Sequence, residues 1–411
     1  VDVVTRREDI DKFSRVVSRD EIRSNDYNLN IPRYVDSSEA AESWDIFSSM
    51  FGGIPNSEVE LLNDYWKAFP TLKSSLLEAT SSAYCRVTRD DVKKAIKEHD
   101  DIKGFENKFK DAFYGLNDYL HDALIVQMDN INISKKEEAL AENIFSRLAG
   151  IPLVDKYEAY QLLDDDWANI AIDLEIIQTE GFNATRVVDP NMVIKKKDNK
   201  EQEVQEGWKG RIIPFELVQN CLLSDETKSI EDKENRLAEI ISEYEEAFDN
   251  LSEEEKELEC VNEDSFVFAE VKKALKNDSV DSEKKEKLKS VMALNTEEKG
   301  LKSEIKKEKA LLEERTKEII ENLSDEQIVL LLREKWINPL INNLMQLPER
   351  IVSDLVSKVE ALSKKYDSTL AELENEIEST ERELSKMIDE LEGNEFDMLG
   401  LAEFKKLLGG E

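Results

Sequence analysis

Histidine and cysteine are scarce in this chain, and positive charge is in deficit. Two histidines, His99 and His121, and three cysteines, Cys85, Cys221 and Cys260, are scattered through 411 residues. They form no CxxC pair and no His/Cys ligand spacing, so neither a disulfide framework nor a zinc site is signalled. The thiols suit a reducing cytoplasm, and the two histidines read as ordinary packing or surface residues. No Ser/His/Asp or Cys/His arrangement for nucleophilic catalysis stands out. Asp164-Asp165-Asp166 lacks the spaced oxygen ligands and the glycine of a calcium loop. It reads instead as the first turn of a helix, where acids are favoured. No apolar run approaches the ~20 residues of a bilayer-spanning helix, so no membrane segment is expected.

The charge deficit bounds the partners. With 56 Lys and Arg against 92 Asp and Glu, the net charge is -36 and the pI about 4.6. Such a surface repels phosphates, so DNA is not gripped by the chain as a whole and any contact with it is local. Hydrophobic residues make up 40% of the chain, enough for a folded protein of two or three domains.

What is present is mostly helical periodicity. Residues 1–36 alternate short apolar stretches with charges and read as one or two strands. From Ser37 the pattern changes: Ser38 offers an N-cap followed by Glu39 and Glu42, and Val59, Leu62, Tyr65, Trp66 and Phe69 recur at helical spacing. Helices are expected over 74–82, 90–98, 104–128, 135–148 and 155–178. In the last, Tyr157, Tyr160, Leu163, Trp167, Ile170, Ile172, Leu174 and Ile176 are expected to supply core.

Residues 186–218 interrupt this pattern. Val187-Val188 and Met192-Val193-Ile194 face Val204, Trp208, Ile212 and Ile213 across a charged turn, which reads as a β-hairpin. Its tip carries Lys195, Lys196, Lys197 and Lys200, the densest basic cluster in an acidic chain. Two readings stand: a contact to DNA phosphates, or a solvated tip kept charged against edge aggregation.

Beyond Cys221 the chain is acidic and helical, over 231–251, 263–276 and 284–323. Interleaved lysines make these faces solvated rather than phosphate-like. The C-terminus has the strongest period. Leu355, Val359, Leu362, Tyr366, Leu370, Leu373, Ile377, Leu384, Ile388 and Leu391 recur at three, four or seven, an apolar seam. A single helix over 356–392 would be roughly 55 Å long, and its stripe requires a partner helix. Residues 302–323 of the same chain are one candidate.

One stretch is not demanded by folding. Asn25-Asp26-Tyr27-Asn28-Leu29-Asn30-Ile31-Pro32-Arg33-Tyr34-Val35 is too apolar for a solvated loop and too rich in asparagine for an edge strand. Its asparagines can orient a neighbouring domain or touch DNA, or they can hydrogen-bond within a buried strand and turn. Together with Ile212-Ile213-Pro214-Phe215-Glu216-Leu217-Val218 and the C-terminal seam, it resembles the methylation subunits of type I restriction-modification systems, which are adenine-N6 DNA methyltransferases.

The resemblance implies that the chain is the C-terminal part of such a subunit, with Asn25, Asp26, Tyr27, Asn28, Pro32, Arg33 and Tyr34 as the family motif just after the catalytic domain. That domain is expected upstream of Val1, because two signatures are missing here. There is no Pro-Pro for the Asn/Asp-Pro-Pro-aromatic loop that holds a flipped adenine. No close glycines follow a strand as S-adenosylmethionine binding requires.

The expectation is therefore a mainly α, elongated chain with a small β-hairpin insertion and a C-terminal long helix or coiled coil. Its parts would be 1–36, the tail of the catalytic domain; 37–223, a helical domain with the hairpin; 224–330, an acidic helical region; and 331–411, an assembly region. No catalytic, cofactor or metal site is expected in the chain; S-adenosylmethionine belongs to the complete subunit. By the resemblance, its partners are a specificity subunit, a second methylation subunit, a restriction subunit and DNA in the assembled complex, in a prokaryotic cytoplasm. Leu355, Val359, Leu362, Tyr366, Leu373, Ile377, Leu384 and Leu391 would form the partner-binding seam. Two alternatives are a stand-alone coiled-coil scaffold and an acidic DNA mimic.

Overall fold

Local capping and turn signals, more than long periodicity, cut this chain into its elements. The computed structural model describes residues 2–38, 43–89, 91–197, 200–251, 261–262, 265–277 and 282–407. The fold is mainly α, with one three-stranded and one two-stranded antiparallel sheet. It divides into two compact units, Val1–Ile96 with Leu355–Glu411, and Lys97–Asp354.

In the first unit the N-terminal stretch is helix and turn. Asp2–Arg6 and Arg19–Ser24 are short helices and Ile31–Arg33 is a single 3-10 turn, so the strands expected over residues 1–36 are replaced. Ser18 decides the second helix: its side chain accepts from Glu21 N, and Asp20 and Glu21 occupy the favourable first turn. The helix start expected at Glu39 to Glu42 falls outside the described residues. The next helix, Ile46–Phe51, is capped by Asp45, whose carboxylate accepts from Ser48 N at 2.8 Å.

A small sheet was not anticipated. β1 (Ile54–Pro55), β2 (Leu77–Ala79) and β3 (Tyr84–Val87) pair in the order β1-β3-β2. The helix expected over 74–82 therefore ends with Leu72–Leu76. The Ser81 hydroxyl oxygen accepts from Ala83 N and Tyr84 N, a local turn that competes with helix. Arg86 then pairs with Glu78 across the strands at 2.7 Å. Of the face read from the sequence, Val59, Leu62, Trp66 and Phe69 are buried and Tyr65 is half-buried; Leu72 and Leu76 join them in the core.

The expected helix over 356–392 is two helices, Leu347–Lys365 and Leu370–Asp389, with Glu395–Leu407 following. The break has a local cause. Thr369 caps the second helix in a capping box with Glu372, each side chain accepting from the other's backbone N–H.

The second unit centres on Ile133–Leu148 packed along Lys156–Glu180. Leu163, Trp167, Ile170, Leu174 and Ile177 are buried at spacings of four and three, whereas Tyr157 and Ile172 point outward, against expectation. Asp155 caps the longer helix, which leaves Asp164, Asp165 and Asp166 in its middle rather than its first turn. The helix expected over 104–128 is Asp100–Ala112, then Leu116–Leu120 running into a π-helical His121–Val126; Gly115, at φ +74°, makes the break.

β4 (Val188–Lys197) and β5 (Lys200–Gly210) form the expected hairpin. Ser224–Asp249 and Ser282–Glu321 run antiparallel as a long helical pair, with Leu223, Ile230, Ile305 and Leu312 between them. At 40 residues the second spans about 60 Å. Its 302–323 stretch packs on the Ser224–Asp249 helix and the hairpin. Charges match across the pair: Lys233 with Glu304 and Glu308, Lys309 with Glu234, and Arg315 with Glu226.

Candidate interaction surfaces

The C-terminal seam is built on a hydrogen-bonded node within the first unit. Lys365 Nζ donates to Glu58 Oε2 at 3.0 Å and to Ser43 O at 2.6 Å, and the Tyr366 hydroxyl donates to Glu58 Oε1. Asp45 N donates to the Tyr366 oxygen at 3.1 Å, and the Tyr84 hydroxyl donates to Asp45 Oδ1 at 3.3 Å. Burial, then the bond to Glu58, pushes the Tyr366 hydroxyl up. Burial opposes the Lys365 charge, but its partners Glu58 and Tyr366 outweigh that and raise its pKa. Trp44 stacks edge-on to Tyr366, with 5.8 Å between ring centroids.

This node divides the seam. Leu355, Val359 and Tyr366 are buried and Leu362 is half-buried, so the proximal half is internal core. Beyond Thr369, Leu370, Leu373, Ile377, Leu384 and Leu391 are exposed, from 37% at Leu384 to 56% at Ile377. Positions 370, 373, 377, 384 and 388 of the Leu370–Asp389 helix fall within a narrow sector at 100° per residue, one continuous stripe, with Leu391 just beyond the helix end. Helices pack beside both its ends without covering Leu370 or Leu391: Ile46–Phe51 near the start, and Glu395–Leu407, which folds back so that Lys405 meets Asp389 at 2.7 Å and Ile388 is buried.

The Asn25 to Tyr34 motif is an exposed turn, not a buried strand. Asp26 and Tyr27 both have positive φ, +56° and +60°. Asp tolerates this and a ring-bearing residue rarely does. Tyr27 N closes the turn on Ile22 O at 2.9 Å. Asn28 Oδ1 accepts from Asn30 N, Asn28 O accepts from the Tyr34 hydroxyl, and the Tyr27 oxygen accepts from Arg23 Nε. With its polar groups satisfied locally, the turn faces Tyr27, Leu29 and Ile31 outward, each more than half exposed, and Pro32 and Arg33 are exposed too. Sequence reasoning singled out the motif but not this presentation; tandem left-handed residues carry no signal without glycine.

The second singled-out stretch behaves oppositely. Ile212, Ile213 and Val218 are buried. Ile212 O accepts from Lys335 Nζ, which also pairs with the buried Asp173, and Trp336 Nε1 donates to the same carboxylate at 2.8 Å. This node sits on a π-helical turn, Arg333–Ile337, and of its members only Ile212 carries a signal in the sequence.

The lysine cluster stands where two strands end. β4 and β5 pair Lys195 with Gln202, Lys196 with Glu201 and Lys197 with Lys200. The side chains of residues 195–201, and residues 198–199 altogether, lie outside the described set. The base of the hairpin is clamped. Trp208 N donates to Glu313 Oε1 at 3.1 Å and Lys317 Nζ lies 3.6 Å from the Trp208 ring centroid. Gly207, at φ +75°, lets the backbone reach Glu313; a Cβ there would fall 2.3 Å from Oε1. Arg211 makes a bidentate pair with Asp189 at 2.9 and 2.7 Å, which holds that carboxyl below the usual carboxylate range.

The scarce metal-type residues stay apart. Among the described residues no three His, Cys, Asp or Glu side chains gather as a metal site, and no helix is long and apolar enough to cross a membrane. His99 is an N-cap, its Nδ1 accepting from Asp101 N at 3.1 Å. Burial pushes the Cys85 thiol up, Cys221 is exposed, and Cys260 lies outside the described residues.

Comparison with known proteins bears on the exposed N-terminal turn. The N-6 DNA Methylase family matches residues 1–43, which include all of Asn25 to Val35. The methylase subunit of the type I restriction enzyme MjaVII of Methanocaldococcus jannaschii is 46% identical over 66 residues. That match covers 16% of this chain and 11% of the relative. No solved structure matches the chain. Residues 1–43 are thus similar to N-6 DNA methylases, and the matched relative is a type I methylase subunit, in keeping with the resemblance carried by the motif.

Proposed function

We propose that this chain serves assembly in the modification subunit of a type I restriction-modification system, not methyl transfer. In this reading the Leu370–Asp389 helix lays its stripe on the helical spacer of a specificity subunit, beside a second methylation subunit and within reach of a restriction subunit. The exposed Asn25 to Tyr34 turn orients the catalytic domain, which holds S-adenosylmethionine and the adenine-binding loop in the complete subunit. The hairpin lysines contact the DNA backbone in the assembled, cytoplasmic complex, closing protein around DNA.

The observation that carries this is the stripe itself. Four large apolar side chains of one helix sector, Leu370, Leu373, Ile377 and Leu384, remain in water while the helix start is held by the Glu58 node. Half-exposed leucines and isoleucines release roughly 1–2 kcal/mol each on burial, so a helical partner gains several kcal/mol there. The MjaVII relative is a methylase subunit by name, which supports a type I complex as the setting.

The test is co-purification of a subunit carrying Leu373→Ser, Ile377→Ser and Leu384→Ser with its specificity partner. The expected outcome is loss of assembly with helix content unchanged. Assembly at native affinity would move docking elsewhere and reduce the stripe to internal packing. Self-association of the isolated chain that these changes abolish would favour a stand-alone coiled-coil scaffold.

A further inference from the structure

Charge is sorted along both edges of the free C-terminal stripe. Numbered in heptads abcdefg from Leu370, the exposed Leu370, Leu373, Ile377 and Leu384 occupy positions a and d of the Leu370–Asp389 helix, the seam of a helix pair. Thr380 and Met387 take the other two d positions. The Thr380 hydroxyl donates to Glu376 O at 2.8 Å, so it brings no unpaired polar group to the seam.

The positions that flank this seam are acidic on both sides. Glu374 and Glu381 stand at e, and Glu376 and Glu383 at g. The two cations of the helix, Arg382 and Lys386, fall at f and c, on the far face, where Arg382 pairs with Glu378 at 3.0 Å. The four flanking carboxylates have no cation partner among the described residues. In the first unit, residues 1, 39–42, 90 and 408–411 and the side chains of Asp2 and Glu395 lie outside the described set, and none of them is Lys, Arg or His. The Glu395–Leu407 helix gives Lys405 to Asp389, an f position outside both acidic rows.

A second copy of the helix is the wrong complement. In a parallel pair each g faces an e of the partner, and in an antiparallel pair e faces e and g faces g, so Glu meets Glu in either orientation. Like charges set against one another across a seam oppose association. Nucleic acid and an anionic lipid surface are excluded on the same ground, since their phosphates meet two rows of carboxylates.

We propose, resting on the reading that this stripe docks a helical partner, that the partner is a basic heptad helix: apolar at its own a and d positions, with Lys or Arg at e and g to meet Glu374, Glu376, Glu381 and Glu383. The apolar seam supplies adhesion. The acidic rows supply choice, admitting the basic helix and turning away another copy of this chain.

The test uses the full chain and fluorescein-labelled peptides of three heptads, with Leu at a and d and either Lys or Glu at every e and g, read by anisotropy at about 0.15 M salt. The Lys peptide should bind at least tenfold tighter than the Glu peptide, and at least tenfold tighter than a Lys peptide of equal composition whose leucines are moved off the seam. Glu374→Lys, Glu376→Lys, Glu381→Lys and Glu383→Lys together should invert the preference between Lys and Glu peptides. Each reversal changes the charge by two, so that chain still carries -28 against -36, and attraction by bulk charge alone would keep favouring the Lys peptide. Equal binding of the Lys and Glu peptides, or a preference that the reversals do not invert, would overturn the proposal; if Leu373→Ser, Ile377→Ser and Leu384→Ser then abolish binding of both peptides, the stripe stands as a docking face without the charge rule. Unchanged binding in the serine variant would overturn the docking reading itself. Self-association of the native chain that the serine changes abolish would make a second copy the occupant, and would overturn the proposal as well.

Discussion

Tyr366 donates its hydroxyl hydrogen to Glu58, 308 residues earlier in the chain, and the neighbouring Lys365 binds the other carboxylate oxygen. Lys365 and Glu58 keep only 14% and 16% of their side-chain surface. Hydrogen bonds to charged groups in such surroundings contribute about 1.5–3 kcal/mol. Glu58→Ala should therefore cost at least that much and free the start of the Leu370–Asp389 helix. Hydrogen exchange over residues 370–389 checks this, with faster exchange expected than in the native chain. Unchanged protection would mean that the capping box at Thr369 alone holds the helix.

Asp173 and Lys335 make the other anchoring pair. Their side chains are 7% and 22% exposed; Lys335 Nζ donates to both Asp173 and the Ile212 carbonyl, and the Trp336 indole donates to the same carboxylate. Asp173→Ala leaves the Lys335 cation without its counter-charge, with only the Ile212 carbonyl to bind, and the Trp336 N–H without an acceptor, at about 3–5 kcal/mol. Asp173→Leu combined with Lys335→Met should recover much of that loss, since apolar replacement of a buried pair is often neutral. Denaturant titration of the single and double variants separates the two. A double variant no more stable than the single one would show that the residues act independently.

Stability should fall in alkali through two tyrosines. The hydrogen bond to Glu137, at 2.7 Å, raises the Tyr160 hydroxyl from 10.0 to about 12, and burial raises that of Tyr244 to about 12. A folded-state pKa above the unfolded value stabilises fully below pH 10 and is lost as pH rises toward about 12. Tyr160→Phe should flatten the fall in melting temperature between those limits. An equally steep fall in this variant would assign the alkaline loss to other groups.

The hairpin lysines make a salt-dependent prediction. Changing Lys195, Lys196 and Lys197 to Glu should leave the circular-dichroism spectrum unaltered, because these positions lie at the end of a two-stranded ribbon. In the assembled complex, affinity for DNA should fall and the slope of log K against log salt should flatten by about one for each phosphate that is no longer neutralised. An unaltered slope would leave the cluster as a solvated tip.

Helix content, the hairpin and the two long acidic helices, though not their pairing, were legible because they rest on local patterns: alternation across 188–210, period 3.6 within 224–249 and 282–321. The misreadings were local competitions decided by one or two side chains. Ser81 turned a helix into a hairpin of strands, and Thr369 with Glu372 cut a long helix in two. Thr369-x-x-Glu372 is a capping signal that the sequence reading passed over, because the apolar period runs on through both sides of it. Ser18 capped a helix where alternation had implied strands.

By itself the sequence determined the class of each long element, the acidic surface, and the family relation carried by Asn25 to Val35, since all of these depend on neighbours along the chain. Only tertiary structure decided which half of the C-terminal seam is core and which is free. Leu355 and Leu373 obey the same period, yet one is buried and the other nearly half exposed. The difference lies in what packs on each, and burial is a property of neighbours distant in sequence, which no local period encodes.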